Sequence, residues 1–113
     1  WDTARGPVLS SAGERAAALY AAPESDLTPV QACAVTAGRV GASVAREARA
    51  RGVQLEIRMR LAATAALTTC KTLHKPILKQ YGLGGACAVA LGYEPGQITD
   101  AEALLAMMVG APQ

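Results

Sequence analysis

The chain has 113 residues, a mass of 11.6 kDa and a formal net charge of +2. With 51% hydrophobic residues it is too apolar for a disordered chain, and we expect one domain over residues 1–113. The charge is too small to require a nucleic-acid or membrane partner, and no apolar run approaches the roughly 20 residues that cross a bilayer. Aromatic residues make up only 4% whereas alanine occurs 25 times, so we expect alanine, leucine and valine to form the core.

The N-terminal elements are predicted from capping and breaking residues. Residues 1–9 are interpreted as an extended lead-in. Ser11 and Glu14 have the spacing of a capping box, which predicts a helix start near Ser11. Pro23 ends this helix, because the residue before a proline is disfavoured in helical conformation.

The second helix has the clearest signals in the chain. Thr28, Pro29 and Gln31 supply an N-cap hydroxyl, a proline at the first helical position and a glutamine three residues after the cap. With Gly52 as the stop, these signals predict one long helix over about residues 29–51. Its apolar stripe has the spacing of one helical face: Val30, Cys33, Ala37, Val40 and Val44. Small residues beside the stripe predict close approach of a neighbouring helix: Ala34, Gly38, Gly41 and Ser43.

Residues 53–61 allow two interpretations. Apolar and polar residues alternate, which is typical of a strand, whereas the leucine, glutamine, glutamate, arginine and methionine content favours a helix. A strand would need a partner, and only residues 86–91 offer one. Because no breaker separates the segment from residues 62–67, we favour an all-α bundle of four to six helices. The alternative is an α+β fold with a short strand at 53–61.

The C-terminal part contains a second break and a well-marked last helix. Pro76 predicts a kink or a new helix start, and residues 82–85, three of which are glycine, are interpreted as a break. Thr99 and Glu102 form a capping box that begins the last helix, and Gly110 closes it.

A lysine stripe is the sharpest pattern that points to binding. Lys71, Lys75 and Lys79 are four residues apart, so on one helix they would lie along one side. Like charges at this spacing cost a few tenths of a kcal/mol per pair. An anionic partner such as a phosphate, an acidic protein face or lipid headgroups would offset that cost, and an ordinary solvated face is the alternative.

A second basic cluster precedes the lysines. It consists of Arg46, Arg49, Arg58 and Arg60, side chains that can neutralise phosphates. No aromatic residue lies between Tyr20 and Tyr81 to stack on bases, and no nucleic-acid-binding motif accompanies the arginines, so the sequence argues against nucleic-acid binding. The spacing of four in Glu47–Arg51 and Glu56–Arg60 predicts surface ion pairs.

The three cysteines and the single histidine do not have the spacing of a metal site, and we predict neither a metal nor a cofactor. We interpret Cys33, Cys70 and Cys87 as buried small apolar groups, although one disulfide could form in an oxidising compartment. Cys70 and His74 have a spacing that would allow a nucleophile and its base on a helix. No third group orients them, so the sequence favours a protein that is not an enzyme.

The functional hypothesis therefore rests on the apolar helices. They predict a small non-enzymatic interaction module (an adaptor, a chaperone-like protein or an assembly subunit) that binds a protein partner or itself through an apolar groove or its basic face. One alternative is a carrier of a small apolar ligand, a lipid or a haem with His74 as axial ligand. Another is an anion or nucleic-acid binder that uses Arg46–Arg60 and Lys71–Lys79. Trp1 at the first position is compatible with a processed, exported chain and the cysteines with the cytosol, so the compartment stays open.

Overall fold

Residues 5–113 are described by a computed structural model, and this part of the chain forms six α-helices and no β-strand. The prediction of an all-α bundle is confirmed, and the alternative with a strand at 53–61 is wrong. The long predicted helix is present as α2. The helices are α1 (Gly6–Ala21), α2 (Pro29–Ala50), α3 (Leu55–Leu73), α4 (Lys75–Tyr81), α5 (Leu83–Ala90) and α6 (Asp100–Val109), with a short 3₁₀ helix at Glu24–Asp26.

Two capping boxes begin α2 and α6, as predicted. Thr28 Oγ1 accepts the Gln31 amide at 3.3 Å, and the Gln31 side chain accepts the Thr28 amide at 2.9 Å. Thr99 and Glu102 repeat this arrangement with distances of 3.1 and 2.9 Å. Each box satisfies two amides that have no partner within the helix, so both helix starts are determined locally.

The end of α2 is a Schellman turn at Gly52, which confirms the predicted stop. Gly52 has a φ of 78°, in the left-handed region that favours glycine. Its amide donates to the Arg49 carbonyl and the Val53 amide donates to the Ala48 carbonyl, both at 3.0 Å. This turn reverses the chain, so that α3 packs back along α2.

The predicted lead-in is wrong over residues 6–9, which belong to α1. α1 begins at Gly6 rather than near Ser11, and residues 1–4 of the lead-in lie outside the described residues. Pro7 sits in the first turn of α1, where an amide without a helical partner is normal. The proline therefore marks a helix start here, not an extended segment.

The predicted break at residues 82–85 is also wrong in extent, because only Gly82 interrupts the helices. Gly84 lies inside α5, at a position where a side chain would collide with α6. A Cβ atom at Gly84 would lie 2.5 Å from Asp100 Cβ and 2.7 Å from the Asp100 carbonyl oxygen, at the start of α6. Glycine thus allows α5 and α6 to meet.

Helix α3 explains the ambiguous pattern of residues 53–61. Its buried positions are the small residues Ala62, Ala66 and Cys70, four residues apart. The bulky Ile57 and Leu61 stay 45% and 48% exposed. The alternation of apolar and polar residues over 53–61 therefore does not mark a buried face. The favoured helical interpretation is confirmed.

The core consists mainly of small side chains and is built on α2, which contacts each of the other five helices. Of the 21 buried apolar residues among those described, 13 are alanine. Met107 in α6 is the largest side chain that is fully buried. Small side chains permit short distances between helix axes, so the packing of this bundle depends on close backbone approach.

A close approach of three helices lies at Gly38, in the middle of α2. Tyr20 of α1 donates a hydrogen bond of 2.7 Å from its hydroxyl to the Met107 carbonyl. A Cβ atom at Gly38 would overlap the Tyr20 hydroxyl and lie 2.7 Å from that carbonyl oxygen. Burial raises the pKa of Tyr20 above its ordinary value, which keeps the hydroxyl protonated as a donor. Gly38 therefore leaves room for the contact that joins α1, α2 and α6.

An ion pair joins the start of α1 to the start of α6. Arg5 donates from Nε and a terminal nitrogen to the two Glu102 carboxylate oxygens, at 2.9 and 2.7 Å. Hydrogen bonding to Arg5, followed by the backbone hydrogen bond of the Thr99 cap, lowers the Glu102 pKa from 4.5 to about 2. Glu102 thus serves the capping box and the ion pair together.

We expect Gly38→Ala to lower the free energy of unfolding by about 1–3 kcal/mol, because the added methyl group must displace the Tyr20 hydroxyl or the α6 backbone. Gly13→Ala in α1 is the matched control, since a Cβ atom there meets nothing within 4 Å. That substitution should raise stability by up to about 1 kcal/mol. Urea unfolding measures both, and equal effects of the two substitutions would contradict the close approach at Gly38.

The Glu102 ion pair predicts a specific pH dependence. Because the folded-state pKa lies below the ordinary value, its stabilising effect is present above about pH 4.5 and is lost as the pH falls toward 2. Glu102→Gln keeps an acceptor for the cap, as Gln31 shows, and removes the charge. The stability difference between wild type and this variant should shrink between pH 5 and 2 in urea titrations. Glu24→Gln, at an exposed carboxylate, is the control and should show no such trend.

Candidate functional site

Helices α3, α4 and α5 follow one another with single-residue connections, at His74 and Gly82. The His74 amide donates to the Cys70 carbonyl at 2.7 Å, and the His74 carbonyl accepts the amides of Ile77 and Leu78 at 3.1 Å. Gly82 has a φ of 73°, which reverses the chain direction without strain. The short connections hold the three helices around one side of the bundle.

The His74 ring fixes the first of these connections to α2. Its Nε2 atom lies 3.1 Å from Thr36 Oγ1. Because the Thr36 hydroxyl donates its proton to the Ala32 carbonyl at 3.0 Å, the imidazole nitrogen is the donor in this contact. His74 therefore has a positioning role between α3 and α4.

A groove of about 470 Å³ opens between α3, α4 and the start of α5. Half-buried leucines give it apolar walls, and exposed lysines line it as well. The complete lining consists of Leu67, Lys71, Lys75, Leu78, Lys79, Gly82 and Leu83. This is the candidate site, and we call it the lysine groove.

All three lysines of the predicted stripe line this groove, although they lie on two helices instead of one. Lys71 is in the last turn of α3, whereas Lys75 and Lys79 are in α4, which begins anew with Pro76 in its first turn. None of the three forms an ion pair with the described residues. The groove thus combines an apolar surface with three cationic groups that are free to meet an anionic partner.

The predictions from sequence did not include the apolar part of the groove. Leu67 and Leu83 extend the lysine spacing of four at both ends, which was a usable signal. Leu78 and Gly82 carry no such signal, because their place depends on the turn at His74 and the turn at Gly82.

The predicted arginine cluster is not brought together with the lysines. Arg58 and Lys71 are 13 residues apart on α3, which separates them by about 20 Å along the helix axis. Arg60 pairs with Glu56 at 3.3 Å, and Arg58 donates to the Val53 carbonyl at 3.4 Å. The predicted Glu47–Arg51 pair is also present, at 2.9 Å. Arg46 and Arg49 are exposed on α2.

The three cysteines come together inside the bundle as free, buried thiols, which confirms their interpretation as buried groups. Cys70 Sγ lies 3.7 Å from the Cys33 carbonyl and donates to it. Its hydrogen bond with Cys33, followed by burial, raises the pKa of Cys70, and burial raises that of Cys87 to about 12. Cys70 donates to the Cys33 carbonyl and His74 Nε2 contacts Thr36, so no hydrogen bond joins the Cys70 and His74 side chains in the described structure. No cluster of three possible metal ligands occurs within residues 5–113.

Comparison of the chain with protein-family models, with curated proteins and with solved structures finds no match. In the part of the chain that is described, no helix is long and apolar enough to span a membrane.

We expect the native thiols to resist alkylation by iodoacetamide at pH 7–8. All three thiols are fully buried, so the reagent cannot reach them in the folded protein. Burial also raises the pKa of Cys87 to about 12, whereas the hydrogen bond with Cys70 lowers the pKa of Cys33, so protection of Cys33 depends on its burial alone. Mass spectrometry should detect unmodified native protein and three modified cysteines after denaturation in urea. Rapid labelling of one cysteine in the folded protein would instead indicate an accessible, reactive thiol.

Proposed function

We propose that this protein is a small non-enzymatic interaction module that binds an acidic amphipathic helix of a protein partner in the lysine groove. The observation that carries the proposal is the combination of leucine walls with three unpaired lysines in one groove. An amphipathic helix offers both matching components, because apolar side chains at spacings of three and four alternate with charged flanks.

The apolar part of the groove supports a ligand with aliphatic side chains. Leu67, Leu78 and Leu83 come from three different helices and are each half-buried. Their remaining exposed surface would be removed from water by a ligand, which is favourable by about 25 cal/mol per Å². The volume of about 470 Å³ lies within the roughly 300–1,000 Å³ of typical binding pockets.

The number of lysines favours a protein segment over a lipid. A fatty acid has one carboxylate, which can neutralise one or two neighbouring ammonium groups. Lys71, Lys75 and Lys79 extend over two helices and the turn between them, so several carboxylates spaced along a segment match them better. Glutamates four residues apart on a helix have a similar spacing to Lys75 and Lys79.

The test uses a fluorescein-labelled peptide of about five helical turns, with leucines on one face and glutamates beside them. Fluorescence anisotropy should show saturable binding that weakens as sodium chloride is added, because salt screens exposed charges. Lys71→Gln, Lys75→Gln and Lys79→Gln combined should weaken binding about threefold to a hundredfold, since each exposed pair contributes about 0.2–1 kcal/mol.

Matched controls distinguish binding in the lysine groove from attraction of the acidic peptide to any basic surface of the protein. Arg46→Gln with Arg49→Gln removes two exposed charges outside the groove and should change the affinity less than twofold. A peptide with lysine in place of each glutamate should not bind. Equal losses for the lysine and arginine variants would overturn the proposal, and tight binding of dodecanoate without peptide binding would favour the lipid carrier.

A further inference from the structure

A second apolar surface lies at the opposite end of α3. Two adjoining hollows of about 540 and 170 Å³ share Val44 of α2 and Leu61 of α3. Ile57 lines the larger hollow, and both Ile57 and Leu61 are close to half exposed. Contiguous exposed apolar surface of this kind marks an interaction site more often than isolated leucines do. We call this surface the α2–α3 face.

The charges of the α2–α3 face differ from those of the lysine groove. Glu47, Arg51 and Arg60 line the hollows, and Glu56 pairs with Arg60. The four residues form two ion pairs, at 2.9 and 3.3 Å, with no net charge. All four are exposed at the edge of an apolar centre.

The unpaired arginines of α2 do not disturb this balance. Arg46 and Arg49 follow Val44 by two and five residues, which is about 200° and 140° around the helix axis. They therefore lie on the side of α2 that is opposite Val44. The charged groups that border the apolar centre on α2 are then Glu47 and Arg51. On α3, Arg58 also approaches the face, because it donates to the carbonyl of Val53, which lines the smaller hollow.

We infer that the α2–α3 face binds a second copy of this chain in a symmetric homodimer. In a two-fold interface the same patch meets itself, so a patch with one sign of charge repels its copy. A border with two glutamates and two arginines can exchange partners across a two-fold axis, with the acids of one copy facing the arginines of the other. The lysine groove has only cations and would repel its own copy, so the two surfaces suit different occupants.

The first test is the mass in solution at about 200 µM protein, a concentration that saturates a dimer of micromolar affinity. Light scattering after size exclusion should give about 23 kDa, twice the 11.6 kDa of one chain. Ile57→Gln with Leu61→Gln should return the mass to that of one chain while circular dichroism shows an unchanged fold. Leu73→Gln, at a leucine that is 63% exposed elsewhere on α3, is the control and should leave the dimer intact.

A charge exchange tests the two-fold arrangement itself. Arg51→Glu with Arg60→Glu replaces the two paired arginines with acids and makes the border predominantly acidic, whereas Glu47→Lys with Glu56→Lys makes it wholly basic. Each variant alone should be monomeric, and an equimolar mixture should form a dimer of about 23 kDa that contains both chains. A wild-type chain that stays at 11.6 kDa, a dimer that survives the Ile57 and Leu61 substitutions, or a mixture that stays monomeric would each overturn the inference.

Discussion

The close contact of α1, α2 and α6 at Gly38 is the constraint on which the rest of the bundle depends. The Tyr20 hydroxyl reaches the Met107 carbonyl over a position of α2 that has no side chain. A helix that contacts five others within 22 residues must present small groups on most of its circumference. The eight buried positions of α2 accordingly include four alanines and two glycines, and none is larger than valine. Backbone proximity replaces bulky side chains as the source of packing contacts.

A thin core has a consequence for the surface. Positions that face a close neighbour have no space for leucine or isoleucine, so on α3 the core face holds Ala62, Ala66 and Cys70. Ile57, Leu61 and other bulky side chains of this helix are left at least partly in water. Exposed aliphatic side chains on a stable helix favour binding of another molecule, which removes them from water. The two apolar surfaces of the protein therefore follow from the same constraint that shortens the distances between its helices.

Local signals in the sequence predicted the starts of α2 and α6 and the end of α2, whereas the start of α1 was missed because Pro7 was interpreted as part of an extended segment. Tertiary contacts account for the error at residues 82–85. Thr28 and Thr99 cap their helices through residues three positions later, so neighbouring residues contain all the information. Gly84 instead depends on Asp100, which is 16 residues away, and the sequence alone did not distinguish close packing from a chain break. The lysine stripe was visible through its spacing. Leu67 and Leu83 extend that spacing, but Leu78 and Gly82 could not be assigned to the groove because their places follow from the turns at His74 and Gly82.

The charges around the lysine groove and around the α2–α3 face favour different binding partners for these two apolar surfaces. On α3 the linings of the two surfaces come within two residues of each other, at Ala65 and Leu67, so they are distinguished by their charges and not by distance. Lys71, Lys75 and Lys79 form no ion pair within residues 5–113, so carboxylates of a ligand would offset their mutual repulsion. At the α2–α3 face Glu47 pairs with Arg51 and Glu56 with Arg60 within one chain, while Arg58 donates to the Val53 carbonyl. Association there exchanges ion pairs of similar strength and draws its driving force from apolar burial. Added salt should therefore weaken acidic ligands at the groove far more than it weakens contacts made by the α2–α3 face.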